Sequence, residues 1–261
     1  MELKFKNIII IILIFIIGAI TIFWFKNNSY IMGGDAPFMG FPYEIIKSLL
    51  TSWTNKYFLG ISTTTYTNES FPYLTFWALF KILGFKLLTV EKIWQFCLTI
   101  STGFSFYYLI KSFYPKLKTP AMALAVLYYM VCPFVFVLYT PPSNSLILSL
   151  IFTPLLLGLI HNLFQNNNKK YIYLIALSST LLIGLGVNIP TLITSFLPSF
   201  IYIFLKAIKF KKNIEPFKKL LLATIYSFII NSFWIGQLLL SFNSKNVVAT
   251  VDPSWLARTS S

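Results

Sequence analysis

Residues 8–25 read IIIIILIFIIGAITIFWF, a run without a single charged residue. This length and composition predict a helix that crosses a bilayer, which needs about 20 mainly apolar residues. Lys4 and Lys6 precede the run, as the basic residues of a signal peptide would. The run is nevertheless longer than a signal-peptide core, and no small-residue cleavage site follows it. We therefore predict an uncleaved signal anchor.

The rest of the chain has the same apolar character. Of its 261 residues 57% are apolar and only 11% charged, and the mean hydropathy is +0.74. Because a soluble domain carries about 25% charged residues, the composition predicts an integral membrane protein. The formal charge of +14 comes from dispersed lysines, which indicate membrane topology rather than nucleic-acid binding. Cys97 and Cys132 lie within apolar runs and predict neither a disulfide nor a metal site.

Six further stretches are long and apolar enough to span a membrane, at residues 91–110, 119–139, 146–163, 171–188, 191–208 and 219–241. An eighth segment, 71–90, is apolar but contains Lys81 and Lys86, which are costly to bury in hydrocarbon. If this segment does not cross, 13 of the 21 basic residues fall on the cytoplasmic side, as the positive-inside rule requires. We therefore expect residues 71–90 to stay on one side of the membrane.

These stretches together predict an all-α polytopic membrane protein, with one transmembrane domain over residues 1–261 and about seven spans. The N-terminus is expected in the cytoplasm, the tail 242–261 outside, and the protein in the cell membrane. Residues 26–90 then form a long extracytoplasmic loop. Two of its segments predict helices at the membrane surface: FPYEIIKSLLTSW (41–53), and PYLTFWALFKILG (72–84), which begins with proline and ends with Gly84.

The predicted spans contain no acidic or basic residue near their centres, which argues against ion channels, pumps and proton-coupled transporters. Pro133, Pro154 and Pro198 lie inside predicted spans and indicate kinks. The polar residues at membrane depth carry hydroxyls and amides, and we interpret them as helix-packing contacts. They are Gln95, Thr99, Ser101, Thr102, Ser178, Ser179, Ser227, Asn231, Ser232 and Gln237.

The first loop resembles that of the GT-C superfamily of membrane glycosyltransferases, in particular the arabinofuranosyltransferase-like proteins. The resemblance is carried by GGDAPFMGFPYEIIKSLLTSW (33–53), Gly60 and FPYLTFWALFKILGF (71–85). It implies transfer of a sugar from a polyprenyl-phosphate donor to an extracytoplasmic glycan, lipid or protein acceptor. Family members usually have more spans and often a soluble outer domain, so the resemblance also implies a truncated or compact member.

Asp35 is the candidate catalytic residue, because the loop aspartate of the family falls on it. Its implied role is that of a general base, which takes the proton from the acceptor hydroxyl. The alternative is that Asp35 only caps a turn before Ala36 and Pro37. The candidate substrate-binding residues are Gly34, Glu44, Trp53, Lys56, Glu69 and Arg258.

Each of these residues has a reason and an alternative. Gly34 allows the backbone to approach the substrate closely. Lys56 or Arg258 can neutralise the leaving phosphate, and Trp53 can stack on a sugar ring or face the membrane. Glu44 can instead pair with Lys47 on its helix, and Glu69 can instead cap the helix that follows it.

The implied partners are membrane lipids, the polyprenyl-phosphate sugar and its acceptor, but no nucleic acid. No cofactor beyond the lipid-linked donor is implied, and a divalent metal is left open. The alternative from another class is a non-enzymatic membrane protein, either an export component or a scaffold of a larger complex. An enzyme depends on Asp35, whereas a scaffold tolerates its replacement.

Overall fold

The structure is a computed structural model that describes residues 2–25, 53–54, 61–62, 73–132, 144–182, 189–209 and 214–243. The described helices are α1 (Glu2–Ile20), α2 (Tyr73–Ile82), α3 (Leu87–Phe113), α4 (Thr119–Val131), α5 (Asn144–Asn166), α6 (Lys170–Ser178), α7 (Ile189–Lys209) and α8 (Glu215–Asn243). Short 3-10 turns follow α1 at Thr21–Trp24 and α6 at Ser179–Leu181. Two short strands, β1 (Trp53–Thr54) and β2 (Ile61–Ser62), pair antiparallel.

Three of the described helices are long and apolar enough to cross a membrane. They are α3 over Leu87–Phe113, α5 over Leu146–Asn166 and α7 over Pro190–Lys209. Two shorter apolar helices cover Ile8–Trp24 and Thr119–Val131. The helical class and the membrane character predicted from the sequence are confirmed to this extent, while the arrangement with seven spans stays a prediction.

Contacts between neighbouring helices give their relative directions. Helices α1 and α3 are antiparallel, and so are α3 and α4, whereas α3, α5 and α7 run parallel to one another and α6 runs parallel to α8. The residue pairs that define these directions are Gly18 with Ile100, Ile14 with Gly103, Gly103 with Met130, Tyr108 with Asn162, Ser149 with Ser195, His161 with Tyr202, Tyr173 with Tyr226 and Ser179 with Asn231. Apart from α2, successive helices therefore alternate in direction.

This alternation gathers lysines at one end of the bundle. That end, called here the lysine-rich end, holds the C-termini of α3, α5 and α7 and the connections that follow them. Its described lysines are Lys4, Lys6, Lys111, Lys116, Lys118, Lys169, Lys170, Lys206, Lys209, Lys218 and Lys219. The opposite end holds Trp24, α2 and the start of α3.

Helix α2 ends in a glycine-dependent motif at the position that the sequence predicts. Gly84 has φ +85°, in the left-handed region. Its N–H donates to the Lys81 carbonyl at 3.0 Å, and the Phe85 N–H donates to the Phe80 carbonyl at 3.1 Å. These two bonds form a Schellman motif, and the Phe80 and Phe85 rings pack edge to face with centroids 5.4 Å apart. The chain therefore turns sharply and enters α3 at Leu87.

Two predicted spans differ from the helices found there. The span predicted at 119–139 is not one continuous helix, because α4 ends at Val131 and Cys132 has extended dihedrals, φ −61° and ψ 151°. Pro133 explains this end, since the residue before a proline is disfavoured in the helical region. Helix α6 tightens into a 3-10 turn at Ser179, where the hydroxyls of Ser178 and Ser179 each donate to a carbonyl three residues back.

Helix α5 continues through Pro154, although a proline has no N–H for the carbonyl four residues before it. That carbonyl belongs to Leu150, and it accepts a hydrogen bond of 2.8 Å from the Tyr129 hydroxyl of α4. The tyrosine thus replaces the missing intrahelical donor. Helix α7 likewise continues through Pro198.

Helix α7 turns its polar side inward and its apolar side outward. Thr191, Ser195 and Ser199, spaced four residues apart, are buried on one face. Large apolar side chains such as Phe200 and Phe204 are exposed. Only 17% of the α7 span is buried inside the molecule, against 56% of the α5 span. This inverted pattern suits a lipid surrounding, in which close packing rather than apolar burial joins helices.

Candidate functional site

Most site residues predicted from the sequence lie outside the residues that the structure describes. This applies to Asp35 and to five of the candidate substrate-binding residues: Gly34, Glu44, Lys56, Glu69 and Arg258. Only Trp53 falls within a described element, and only its backbone is described. The structure therefore neither brings these residues together nor separates them.

The backbone at Trp53 corrects one detail of the predicted loop. We expected a surface helix over residues 41–53 that ends in this tryptophan. Trp53 instead lies in β1 and pairs with Ser62, while Thr54 pairs with Ile61. Aromatic and β-branched residues such as Trp53 and Thr54 favour extended backbone, which explains the difference. The pairing joins the two ends of the segment 55–60, in which Lys56 lies.

A buried carboxylate marks the end of the bundle opposite the lysine-rich end. Glu91 on α3 is 4% exposed, and Gln95, one helical turn further on, is 1% exposed. Within the described residues, Gln95 Oε1 accepts no hydrogen bond. A carboxylate at this depth is costly unless it is paired or hydrogen-bonded, and ionisable groups in such places commonly mark functional sites.

Sequence reasoning missed Glu91 as a site residue. Glu91 is the first residue of the span predicted at 91–110, directly after the predicted loop. The available signal was the spacing of Glu91 and Gln95, which puts both side chains on one face of a helix. Burial of that face depends on α1, α2 and the other neighbours of α3, which the sequence alone does not position.

An apolar groove runs along α3 beside this site. Its volume is about 610 Å³. The lining comes mainly from α3 and α5, with Phe76 of α2 and Leu181 at its margins. Its few polar groups are Cys97, Ser101, Ser105 and Tyr108, and no charged residue is among the lining residues. The groove suits an apolar chain, and its lining offers no carboxylate or cation for catalysis.

Six of the hydroxyls predicted as packing groups donate to backbone carbonyls within the described bundle: those of Thr99, Thr102, Ser178, Ser179, Ser227 and Ser232. Thr99 Oγ1 donates to the Gln95 carbonyl at 2.9 Å, and Thr102 Oγ1 donates to the Leu98 carbonyl at 2.9 Å. Such bonds to the preceding turn are typical of hydroxyl residues in membrane helices. They support a structural role for these residues.

Asn231 makes the most extensive of these contacts. Its Nδ2 donates to Ser179 Oγ at 2.8 Å, and its Oδ1 accepts from Trp234 Nε1 at 2.8 Å. The asparagine therefore joins α8 to the end of α6. Both Asn231 and Trp234 are buried, which agrees with a packing role rather than a ligand site.

The lysine-rich end carries a second polar cluster. His161 Nδ1 and the Tyr202 hydroxyl share a hydrogen bond of 2.9 Å, and the Phe113 ring lies 4.0 Å from the imidazole. Nearby, Asn162 Nδ2 donates to the Tyr108 hydroxyl at 2.9 Å. Among the residues that the structure describes, no three His, Cys, Asp or Glu side chains come together to hold a metal ion.

No family model, no curated protein and no solved structure matches this chain. What the fold itself defines is a helical protein of the membrane type. The likeness of the first loop to GT-C glycosyltransferases stays a prediction from the sequence.

Proposed function

We propose that this chain is a membrane glycosyltransferase that uses a polyprenyl-phosphate sugar, with Asp35 as its general base. The observation that carries the proposal is the separation of the two ends of the bundle. Most described lysines lie at one end and only Lys81, Lys86 and Lys92 lie at the other, where α1 and α2 meet the stretch 26–72 between them. This connection contains Asp35, Glu44 and Glu69.

The charge distribution supports an orientation for this protein. Lysines in short connections resist translocation, so the lysine-rich end faces the cytoplasm. Helix α2 has ten residues and rises about 15 Å, half the thickness of a bilayer core, so it is too short to cross by itself. Asp35 then lies on the extracytoplasmic side, where the implied acceptors are found.

The reaction follows from the chemistry of a carboxylate beside a lipid-linked sugar. Asp35 takes the proton from an acceptor hydroxyl, and the resulting oxygen attacks the anomeric carbon. The bond between that carbon and the phosphate oxygen breaks, and polyprenyl phosphate leaves with the electron pair. Lys56 or Arg258 stabilises the charge of the leaving phosphate. Support for these assignments comes from the loop sequence at residues 33–53.

The buried Glu91 supports the proposal that the functional site lies at this end of the molecule. It lies at the start of α3, which follows directly after α2 and the predicted loop. Glu91 places a buried carboxylate at this end of the bundle. The apolar groove along α3, lined from Trp94 to Tyr108, offers space for an apolar chain.

The test measures release of polyprenyl phosphate, because this product forms whatever the acceptor is. The full chain is reconstituted in vesicles with polyprenyl-phosphate hexoses and pentoses and with an extract of cell-envelope glycans. Loss of a general base lowers the rate about 10²- to 10⁴-fold, so Asp35→Asn is expected to lose turnover by this factor.

The matched control is Asp252→Asn, which removes an aspartate from the tail and is expected to keep full turnover. Thermal melting and membrane yield of the Asp35→Asn protein should equal those of the parent chain. Turnover that survives in Asp35→Asn would refute the general-base assignment. A parent chain that releases no polyprenyl phosphate with any donor would favour the non-enzymatic alternative.

A further inference from the structure

Three aromatic rings meet at one corner of the lysine-rich end. The Phe164 ring of α5 packs edge to face on Tyr202 of α7, with centroids 6.2 Å apart, and on Phe217 of α8, with centroids 4.9 Å apart. These three residues, called here the aromatic corner, bring the end of α7 close to the start of α8. The ring contacts fix the positions of the lysines on both helices.

Lysines surround the aromatic corner. Lys206 Nζ lies over the Tyr202 ring, 5.2 Å from its centroid, and the Tyr202 hydroxyl shares a hydrogen bond with His161 Nδ1. Lys209, near the end of α7, and Lys218, next to Phe217 in α8, are both exposed. A lysine ammonium over an aromatic face is stabilised there and stays directed toward the interface.

The neighbouring connection adds to the positive charge. Lys219 Nζ donates to the backbone carbonyl and to Oδ1 of Asn167, at 2.7 and 2.8 Å. This contact draws the start of α8 to the connection between α5 and α6, which carries Lys169 and Lys170. Glu2 and Glu215 are the two acidic residues that the described part of this end contains. The surplus of cations attracts anions.

Below the lysines, the surfaces of α7 and α8 are apolar. Exposed side chains on α7 include Phe204, Leu205 and Ile208, and on α8 they include Leu221 and Ile225. A ligand at this corner therefore meets a cationic rim and, directly beneath it, two apolar helix faces. This combination fits an amphiphile with an anionic head.

We propose that the aromatic corner and its lysines bind the phosphate of an anionic phospholipid, with the acyl chains against α7 and α8. Lys206, Lys209 and Lys218 hold the phosphate, and Tyr202 positions Lys206. A free soluble anion would use the cations but not the apolar faces. The assignment is independent of the proposed transferase activity, because it concerns the other end of the molecule.

The test counts lipid bound to the purified full chain in detergent by native mass spectrometry. Phosphatidylglycerol and phosphatidylcholine are titrated separately, and phosphatidylglycerol is expected to bind more tightly. Each surface lysine near an anionic lipid changes the affinity about fivefold. The triple variant Lys206→Gln, Lys209→Gln, Lys218→Gln is therefore expected to lose about 100-fold in phosphatidylglycerol affinity.

The matched control removes the same charge from the opposite end, as Lys81→Gln, Lys86→Gln, Lys92→Gln. This control is expected to bind phosphatidylglycerol like the parent chain. Equal losses in the two triple variants, or equal binding of the two lipids by the parent chain, would overturn the proposal.

Two variants of Tyr202 test the positioning role. Tyr202→Phe keeps the ring under Lys206 and is expected to retain the lipid, whereas Tyr202→Leu removes the ring and is expected to weaken lipid binding several-fold. Thermal melting of both variants without lipid shows whether they fold alike. Inorganic phosphate is then added to the parent complex. Displacement of the lipid by millimolar phosphate would assign the corner to a soluble anion instead.

Discussion

At the scale of single residues, the bond between Tyr129 and Leu150 explains how α5 tolerates a proline. The Tyr129 hydroxyl satisfies the carbonyl that Pro154 leaves without its helical donor. We expect Tyr129→Phe to lower the free energy of unfolding by about 1 kcal/mol, because a partly buried carbonyl then loses its partner. The measurement is an unfolding titration with a denaturing detergent, which reports the stability of helical membrane proteins.

A double-mutant cycle separates this bond from general packing. Pro154→Ala restores an N–H to α5, which can then serve the Leu150 carbonyl in the absence of the tyrosine. In that background Tyr129→Phe is expected to cost much less than in the parent chain. Equal costs in both backgrounds would show that Tyr129 acts through packing of its ring instead, for example on Phe106, whose ring stacks at 4.0 Å.

For single residues, the sequence predicted the structure only where the conformation depends on neighbours in the chain. Gly84 was predicted as a helix stop, because a left-handed residue commonly ends a helix, and the structure has it in that conformation. The burial of Glu91 and the bond made by Tyr129 depend on neighbours distant in the chain, so no local rule reveals them. The role predicted for Asp35 stays a prediction, since the structure does not describe that residue.

At the scale of helices, glycines allow the closest contacts. A Cβ added to Gly18 of α1 would collide with Ile100 of α3, and one added to Gly103 of α3 would lie 2.6 Å from the Met130 sulfur. A Cβ on Gly236 of α8 would meet nothing within 4 Å. Small residues at such positions let membrane helices pack without a gap.

We therefore expect opposite effects from two chemically identical changes. Gly18→Ala should lower the free energy of unfolding by about 1–3 kcal/mol, because Ile100 is branched and has to move. Gly236→Ala should leave it unchanged or raise it by up to about 1 kcal/mol, because alanine favours the helix. The same detergent titration compares the two variants. If both changes lower the free energy of unfolding equally, the contact of Gly18 with Ile100 is not the cause of the loss.

Helix positions followed from the sequence better than helix ends did. Apolar runs at 91–110, 146–163 and 191–208 coincide with helices of membrane length, because a bilayer imposes both length and composition. The ends of α4 and α6 were missed because they depend on Cys132 before a proline and on hydroxyls that bond to their own turn. The inverted face of α7 was also missed, although Thr191, Ser195 and Ser199 recur every four residues.

At the scale of the whole molecule, the alternating directions of the helices predict which residues face the outside. With Cys97 and Cys132 replaced by alanine, single cysteines are introduced at Asn68 and at Asn213. A thiol reagent that does not cross membranes is expected to label position 68 in intact cells and not position 213. Labelling of both positions, or of 213 alone, would contradict the proposed orientation and remove the physical basis for placing Asp35 outside.

The distribution of lysines and the directions of the helices are independent observations. Both distinguish the same two ends of the bundle. The first comes from composition and the positive-inside rule, and the second comes from contacts such as Tyr108 with Asn162. The sequence predicts the first directly. The second arises from which helix packs on which, and that depends on shapes such as the close approach at Gly158.

The inward-facing hydroxyls of α7 also bear on how this chain is assembled. Ser195 Oγ and Thr194 Oγ1 both donate to the Thr191 carbonyl, at 2.7 and 3.0 Å, within α7 itself. The Thr194 and Ser195 hydroxyls are thus bonded within α7 itself, so α7 can enter lipid as an independent unit before Ser195 meets Ser149 of α5 at 2.7 Å. Two separately expressed fragments, 1–182 and 189–261, should for that reason find each other in the membrane and co-purify.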